Sequence, residues 1–313
     1  MAEKISAEIF SRFGWERIGP VDSHWACVTE SHNRDEHPTD VVFKYDDPYN
    51  RDREVYVITD LKSYAASTIQ KAKIKGALNN LCDTIKCASR GSGWKEKYVA
   101  EIAENNIAGM LFVYDHSLSY EKDLFTSLFS EVDPSDFMLP PRTKVMVLGP
   151  QSIVALYGIA RDMQTLRQDG GLPSMEFCRF WYPELVSVRL QDAEPRAASI
   201  EMLTGPWIAM RSRNGESVHY TFWYRQDGGT SEEFGYLFDS FFRHQLLVDK
   251  STSINVRVVS PMSDARSRFE RAKVQYASRF YNFPRERLER VTYGSVPDVM
   301  RRFDETELGW RDG

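Results

Sequence analysis

Residues 40–45 read DVVFKY and residues 54–62 read EVYVITDLK. Both runs are rich in β-branched and aromatic residues, the composition of half-buried strands. The eight residues between them, DDPYNRDR, are turn formers. The stretch therefore predicts a β-hairpin with a long loop. Residues two apart on a strand share a face. Asp60 and Lys62 thus point the same way as Tyr56 and Ile58, while Val55, Val57 and Leu61 take the other side. If the loop closes symmetrically between Tyr49 and Asn50, opposed residues carry numbers that sum to about 99 or 100. Asp40 and Asp60 satisfy that condition, which puts their Cβ atoms roughly 5 Å apart.

Two carboxylates facing each other across paired strands repel, and a divalent cation between them offsets the repulsion. Mg²⁺ suits such a pair, because it prefers oxygen ligands and commonly takes one or two carboxylates. Lys62 beside them offers a positive charge for a water or a phosphate oxygen. A metal-polarised phosphate and an oriented water are what phosphodiester hydrolysis needs. Blander roles exist for each residue. Asp40 suits a turn before a strand. Asp60 and Lys62 would form an exposed ion pair worth about 0–1 kcal/mol. Yet an Asp late in VYVITDL runs against strand propensity, and such local conflicts mark functional positions.

Outward from the hairpin, Ile5, Ile9, Phe10 and Phe13 at helical spacing predict a helix over 3–13, stopped by Gly14. Short strands are expected at 15–18 and 26–30, with a polar loop over 31–37. After the hairpin, Ile74, Leu78, Leu81 and Ile85 mark the buried side of a long helix over 64–88. A shorter helix over 95–104 and buried strands at 109–114 and 144–148 follow. This order makes an α/β layer, helices packed on a mixed sheet. The second half predicts a helix over 152–166, a weak linker at 195–198, and strands at 207–211 and 220–225. A Gly228-Gly229 turn, a helix over 232–247, a strand at 255–259 and a helix over 264–280 complete it. That ββαβα order indicates a second, smaller α/β domain. No internal repeat is visible.

Pro38-Thr39-Asp40 followed by Asp60-Leu61-Lys62 resembles the PD-(D/E)xK pattern of restriction-endonuclease-like nucleases. In that superfamily the two halves lie on adjacent hairpin strands between two helices, as read above. The resemblance covers about half the chain and implies that Asp40 and Asp60 bind Mg²⁺, with Mn²⁺ as a substitute, helped by the Leu61 carbonyl. It implies that Lys62 positions the nucleophilic water. It adds Glu8, on the first helix, to the metal shell, and Gln70, on the helix after the motif, to the catalytic set. Glu8 also suits an i,i+4 pair with Arg12. Thr39 departs from the commonest motif neighbour. The expected division is a nuclease domain over 1–150 and a C-terminal α/β recognition or interaction domain over 151–313.

The chain has 313 residues, 42% hydrophobic and 13% aromatic, enough for a sizeable core and against disorder. Its net charge of -5 excludes a globally basic nucleic-acid coater. No apolar run approaches a signal sequence or a membrane span. Cys27, Cys82, Cys87 and Cys178 lack CxxC spacing and the histidines form no HExxH or HxxxH motif, so reduced thiols in a cytoplasmic protein are expected and a zinc site is not. A C-terminal run from Arg266 to Arg290 is locally basic, suiting a phosphate-contacting patch or a salt-bridged helix. Phe234, Leu237, Phe238, Phe241 and Phe242 form a stripe too apolar to be exposed, which suits core first and a subunit interface second. Together these readings point to a Mg²⁺-dependent DNA endonuclease. Nucleases of this kind resemble restriction enzymes or effector subunits of bacterial anti-phage defence, and the latter commonly work with a partner protein; a partner subunit or a homo-oligomer is expected here. The competing expectation is a non-catalytic interaction protein on the same scaffold.

Overall fold

The computed structural model describes residues 1–50, 53–99, 106–120, 124–130, 132–133, 135, 137, 139–141, 143–183, 195–279 and 284–297. The chain forms two compact units, one built on Met1–Tyr157 and the other on Gly158–Val299.

The first unit opens with α1 (Ala2–Arg12), whose Ile5, Ile9 and Phe10 are buried. It ends where Gly14 adopts φ 80°, a conformation that side chains resist. Strands β1 (Glu16–Ile18), β2 (Ser23–Ala26), β3 (Glu36–Thr39), β4 (Val41–Asp46) and β5 (Glu54–Tyr64) follow. Then come α2 (Lys71–Arg90), α3 (Ser92–Tyr98), β6 (Asn106–Asp115), α4 (Leu124–Ser130) and β7 (Val145–Leu148). The main sheet has the order β1-β4-β5-β6-β7, and β2 pairs β3 separately. β1, β4 and β5 are antiparallel, whereas β5, β6 and β7 run parallel.

Alternation along β4 and β5 divides the core into two layers. Val42, Tyr56 and Ile58 join Ile74, Leu78, Leu81 and Ile85 of α2 on one face. On the other, Phe10 of α1 lies 5.1 Å from Phe43 and 6.3 Å from Phe112 between ring centres. Trp15 stacks on Phe10 at 4.7 Å and on Tyr45 at 4.8 Å. Burying each such side chain contributes roughly 1.5–3 kcal/mol.

Several boundaries differ from the sequence expectation. β5 runs to Tyr64, and the long helix starts at Lys71 rather than 64. The reason is tertiary: Ser63 and Tyr64 still pair with Tyr114 and Asp115 of β6. The expected strand at 26–30 is displaced to β2, and the loop over 31–37 contains a short turn of 3₁₀ helix, Glu30–His32, and the start of β3. The end of the expected 95–104 helix, the turn residues Arg51 and Asp52, and Phe280 lie outside the described residues.

The second unit starts within α5 (Pro150–Gln168) and continues with β8 (Cys178–Phe180), α6 (Ile200–Thr204), β9 (Trp207–Asn214) and β10 (Ser217–Tyr224). α7 (Ser231–Arg243), β11 (Thr252–Val258), α8 (Ala265–Ser278), α9 (Glu286–Glu289) and β12 (Val291–Ser295) complete it. The anticipated ββαβα order is present as β9-β10-α7-β11-α8. β8 and β12, both short, were not anticipated. The sheet order is β12-β11-β10-β9-β8, with β8, β9 and β10 antiparallel and β10, β11 and β12 parallel. This repeats the strand directions of the first sheet without any repeat in sequence. Trp207 and Tyr224 oppose each other where Asp40 and Asp60 stand in the first.

α7 carries a capping box between Thr230 and Glu233. Its Phe234, Leu237, Phe238 and Phe241 are fully buried, as core. Buried Asp162 accepts from Trp223 Nε1 at 2.8 Å and from both Arg257 Nε, at 2.8 Å, and Arg257 Nη2. Part of the basic C-terminal run is engaged internally. Arg268 pairs with Asp264 and Lys273 with Glu270, Arg266 lies over Tyr293, and Arg290 donates to the carbonyls of Leu247, Asp249 and Thr252. Among the described residues, no helix is long and apolar enough to cross a membrane.

Candidate active site

The hairpin register has Val41 opposite Thr59 and Val42 opposite Ile58, so opposed numbers sum to 100 along the ladder. Asp40, one residue before β4, is next in that register, across from Asp60. It sits at a bend where β3 gives way to β4, and both its backbone and side chain are held there. Its carbonyl accepts from Asp22 N at 2.9 Å. Its Oδ2 accepts from Leu61 N at 2.7 Å. Just before it, the Thr39 hydroxyl accepts from Trp25 Nε1 at 3.0 Å in the core.

Asp60 projects from β5 towards α2, and its Oδ1 lies 2.5 Å from Lys62 Nζ. Burial pushes the Asp60 carboxyl above the ordinary carboxylate range, and the neighbouring Asp40 adds to that, while Lys62 opposes it. Burial pulls the Lys62 ammonium down, but the attraction of Asp60, their hydrogen bond, Asp40 and Tyr64 outweigh it. Lys62 is held above its usual value. The three side chains share an open cleft of about 460 Å³, walled also by Arg34, Pro38, Ile58, Thr59, Asn80, Leu81 and Thr84.

A second carboxylate on this sheet is a useful contrast. Buried Asp115, at the end of β6, accepts from the backbone N–H of Ser117, Ser119 and Tyr120 and from the Ser117 hydroxyl. Its oxygens are consumed by the turn they hold. The oxygens of Asp40 and Asp60 instead converge on each other, on Lys62 and on the cleft. An acidic pair of this kind fits a divalent cation, since charge repulsion and desolvation both penalise it otherwise.

Asp40, Asp60 and Lys62 are thus together, and Leu61 joins them through the N–H it gives to Asp40. Glu8 and Gln70 are elsewhere among the described residues. Glu8 belongs to α1, which packs on the Phe43 face of the sheet, opposite to the face of Asp60 and α2. Gln70 is the extended, exposed residue that precedes α2. Neither lines the cleft. Arg34 and Asn80, which do line it, went unnoticed in sequence. Arg34 Nη2 donates to Asn80 Oδ1 at 2.8 Å, a contact across 46 residues with no local signature. The cysteines and histidines were also read as dispersed. The structure corrects this, because Cys27, His32, His37 and Cys87 converge. The only sequence signal was the even spacing of Cys27, His32 and His37.

The opposed acids and the lysine at the end of the central hairpin follow the PD-(D/E)XK pattern. Residues 1–152, just under half of the chain, match the family model described as the GAPS4 protein PD-(D/E)XK nuclease domain. Nucleases of this class generally use divalent metal ions. No curated protein matches the chain.

Proposed function

We propose that the chain is a Mg²⁺-dependent endonuclease hydrolysing phosphodiester bonds of DNA, with Mn²⁺ able to substitute. We further propose that it is cytoplasmic and acts in bacterial anti-phage defence or restriction beside a partner subunit or a second copy of itself. One observation carries the catalytic part: Asp40, Asp60 and Lys62 face one cleft in a domain that matches a nuclease family model. Held by Asp40, Asp60 and the Leu61 carbonyl, the ion would supply Lewis-acid polarisation of the scissile phosphate and acidification of the attacking water.

The protein's own groups divide the remaining work. The Leu61 N–H fixes the Asp40 rotamer, so one acid is presented without reorganisation. Lys62, kept protonated beside Asp60, is a cation that orients a water or phosphate oxygen and is no general base in that state. Arg34, at the rim, suits a second phosphate oxygen. Lys71, Lys73 and Lys75 at the start of α2 suit flanking phosphates. Glu8 and Gln70 are proposed only as auxiliary groups, requiring movement towards the cleft on substrate binding. The defence assignment rests on likeness of class, and on a second half with no zinc finger or clear helix-turn-helix for reading DNA.

The test is incubation of linear, circular and single-stranded DNA, and RNA, with Mg²⁺ or Mn²⁺, comparing wild type with Asp60→Ala. DNA cleavage by the wild type, lost with EDTA and lost in Asp60→Ala, is the expected result. Normal cleavage by Asp60→Ala overturns the site. Cleavage confined to RNA overturns the substrate.

A further inference from the structure

Cys27 follows β2, His32 closes the 3₁₀ turn, His37 lies in β3, and Cys87 is in the last turn of α2. One ligand atom from each lies within 4.8 Å of all the others. His37 and Cys87 are fully buried, and the His32 side chain is 5% exposed. From these four residues we infer a structural zinc site, distinct from the catalytic cleft.

Geometry is the first support. A tetrahedral zinc with bonds of about 2.3 Å to sulfur and about 2.0–2.1 Å to nitrogen requires edges of about 3.8 Å between sulfurs, about 3.5 Å from sulfur to nitrogen and about 3.4 Å between nitrogens. The Sγ atoms of Cys27 and Cys87 are 3.6 Å apart. Sulfur-to-nitrogen separations are 3.6 Å (Cys27 to His32 Nδ1), 3.2 Å (Cys27 to His37 Nε2) and 3.3 Å (Cys87 to His32 Nδ1). His32 Nδ1 and His37 Nε2 are 3.4 Å apart.

Proton placement is the second. The Thr84 hydroxyl donates its hydrogen to the Asn80 carbonyl at 2.8 Å. Towards His37 Nδ1, 3.2 Å away, it can therefore only accept. His37 thus carries its proton on Nδ1 and aims a bare Nε2 into the cluster. His32 turns Nε2 towards the Asp83 carboxylate at 3.5 Å, which assigns its proton there and leaves Nδ1 bare. Two nitrogen lone pairs then face each other with no hydrogen between them. A cation between them removes the repulsion. One ring nitrogen on the metal and the other on a hydroxyl or carboxylate is the usual arrangement of a ligating histidine.

Two thiolates and two imidazoles in a tetrahedron select zinc over the hard Mg²⁺ of a nuclease centre. Binding releases the two thiol protons, so the charge of the ion is neutralised in the buried site. All four positions are filled by protein, which makes the site structural. It joins the β2–β3 segment to α2. His37 is three residues from Asp40, and Thr84 serves both His37 and the cleft wall. Losing the zinc therefore loosens Asp40 and Arg34 and weakens cleavage as a consequence.

The experiment is elemental analysis and native mass spectrometry of the full chain purified under reducing conditions. One zinc per chain is expected, present without added metal. Cobalt exchange should give the ligand-field and thiolate charge-transfer bands of tetrahedral Co²⁺. Cys87→Ser and His37→Gln should lose the ion, whereas Cys82→Ser, outside the cluster, should keep it. Should Cys87→Ser fail to fold, the wild-type stoichiometry and cobalt spectrum still decide. Wild type with less than about a tenth of a zinc per chain, against the site affinity expected of such ligands, overturns the inference. So does a native chain two hydrogens lighter through a Cys27–Cys87 disulfide.

Discussion

At the scale of single residues, Asp60 and Lys62 are adjacent on one strand face but are expected to fail differently. Asp60→Ala should abolish both cleavage and the rise in melting temperature caused by Mg²⁺, a gain of about 2.7 kcal/mol at a hundredfold excess over Kd. Lys62→Ala should cut the cleavage rate by about 10²–10³-fold while leaving most of the thermal gain, because it removes a positioned charge and no metal ligand. Activity assays paired with melting curves separate the two. Asp60 also sets a pH dependence. Its folded pKa lies above the unfolded value. Without metal, its contribution to stability is present at low pH and is lost as the pH rises through the folded value. Divalent ions bind the ionised form, so the thermal gain from Mg²⁺ should grow from acid to neutral pH. The acid limb of the pH–rate profile should move down by about one unit per tenfold rise in metal while proton and metal compete. A limb that ignores metal concentration would assign it to another group.

At the scale of elements, the site depends on α2 lying close to the sheet. Gly109 of β6 makes room for it: a Cβ there would stand 2.5 Å from Ile85 Cδ1 and 3.3 Å from Leu81. Gly109→Ala should cost about 1–3 kcal/mol by overpacking. Ile85→Val, which removes the clashing methyl, should recover part of that loss in the double variant. Chemical denaturation of the two single variants and the double variant measures the coupling, and strict additivity would show that the helix does not approach as described. Here the limits of the linear sequence are also visible. Heptad-like spacing at Ile74, Leu78, Leu81 and Ile85 marked the buried face of α2, but not its start. Residues 63 and 64 were drawn into β5 by pairing with β6, a partner about 50 residues away. Local propensity does not record such a partner.

For the whole molecule, the second unit repeats the strand directions of the first around a different polar centre, the Asp162–Arg257–Trp223 network. Arg257→Ala leaves Asp162 as an unpaired buried carboxylate and should destabilise this unit by about 3–5 kcal/mol. Arg257→Ala with Asp162→Leu should recover much of it, as read by denaturation. No carboxylate pair stands at the end of its β9–β10 hairpin, where Trp207 opposes Tyr224, so this repetition of form carries no repetition of chemistry. What the sequence by itself determined was whatever is written in short-range periodicity. Alternation in VYVITDL set the face of Asp60 and Lys62, loop length set the register to Asp40, and helical spacing set the faces of α1 and α2. Only the tertiary structure decided the rest: which sheet face each helix covers, hence the separation of Glu8 from Asp60, the Arg34–Asn80 rim, and the meeting of Cys87 with Cys27, His32 and His37. Those depend on closing loops of tens of residues against chain entropy, and the hydrophobic core that makes closure favourable belongs to no single segment.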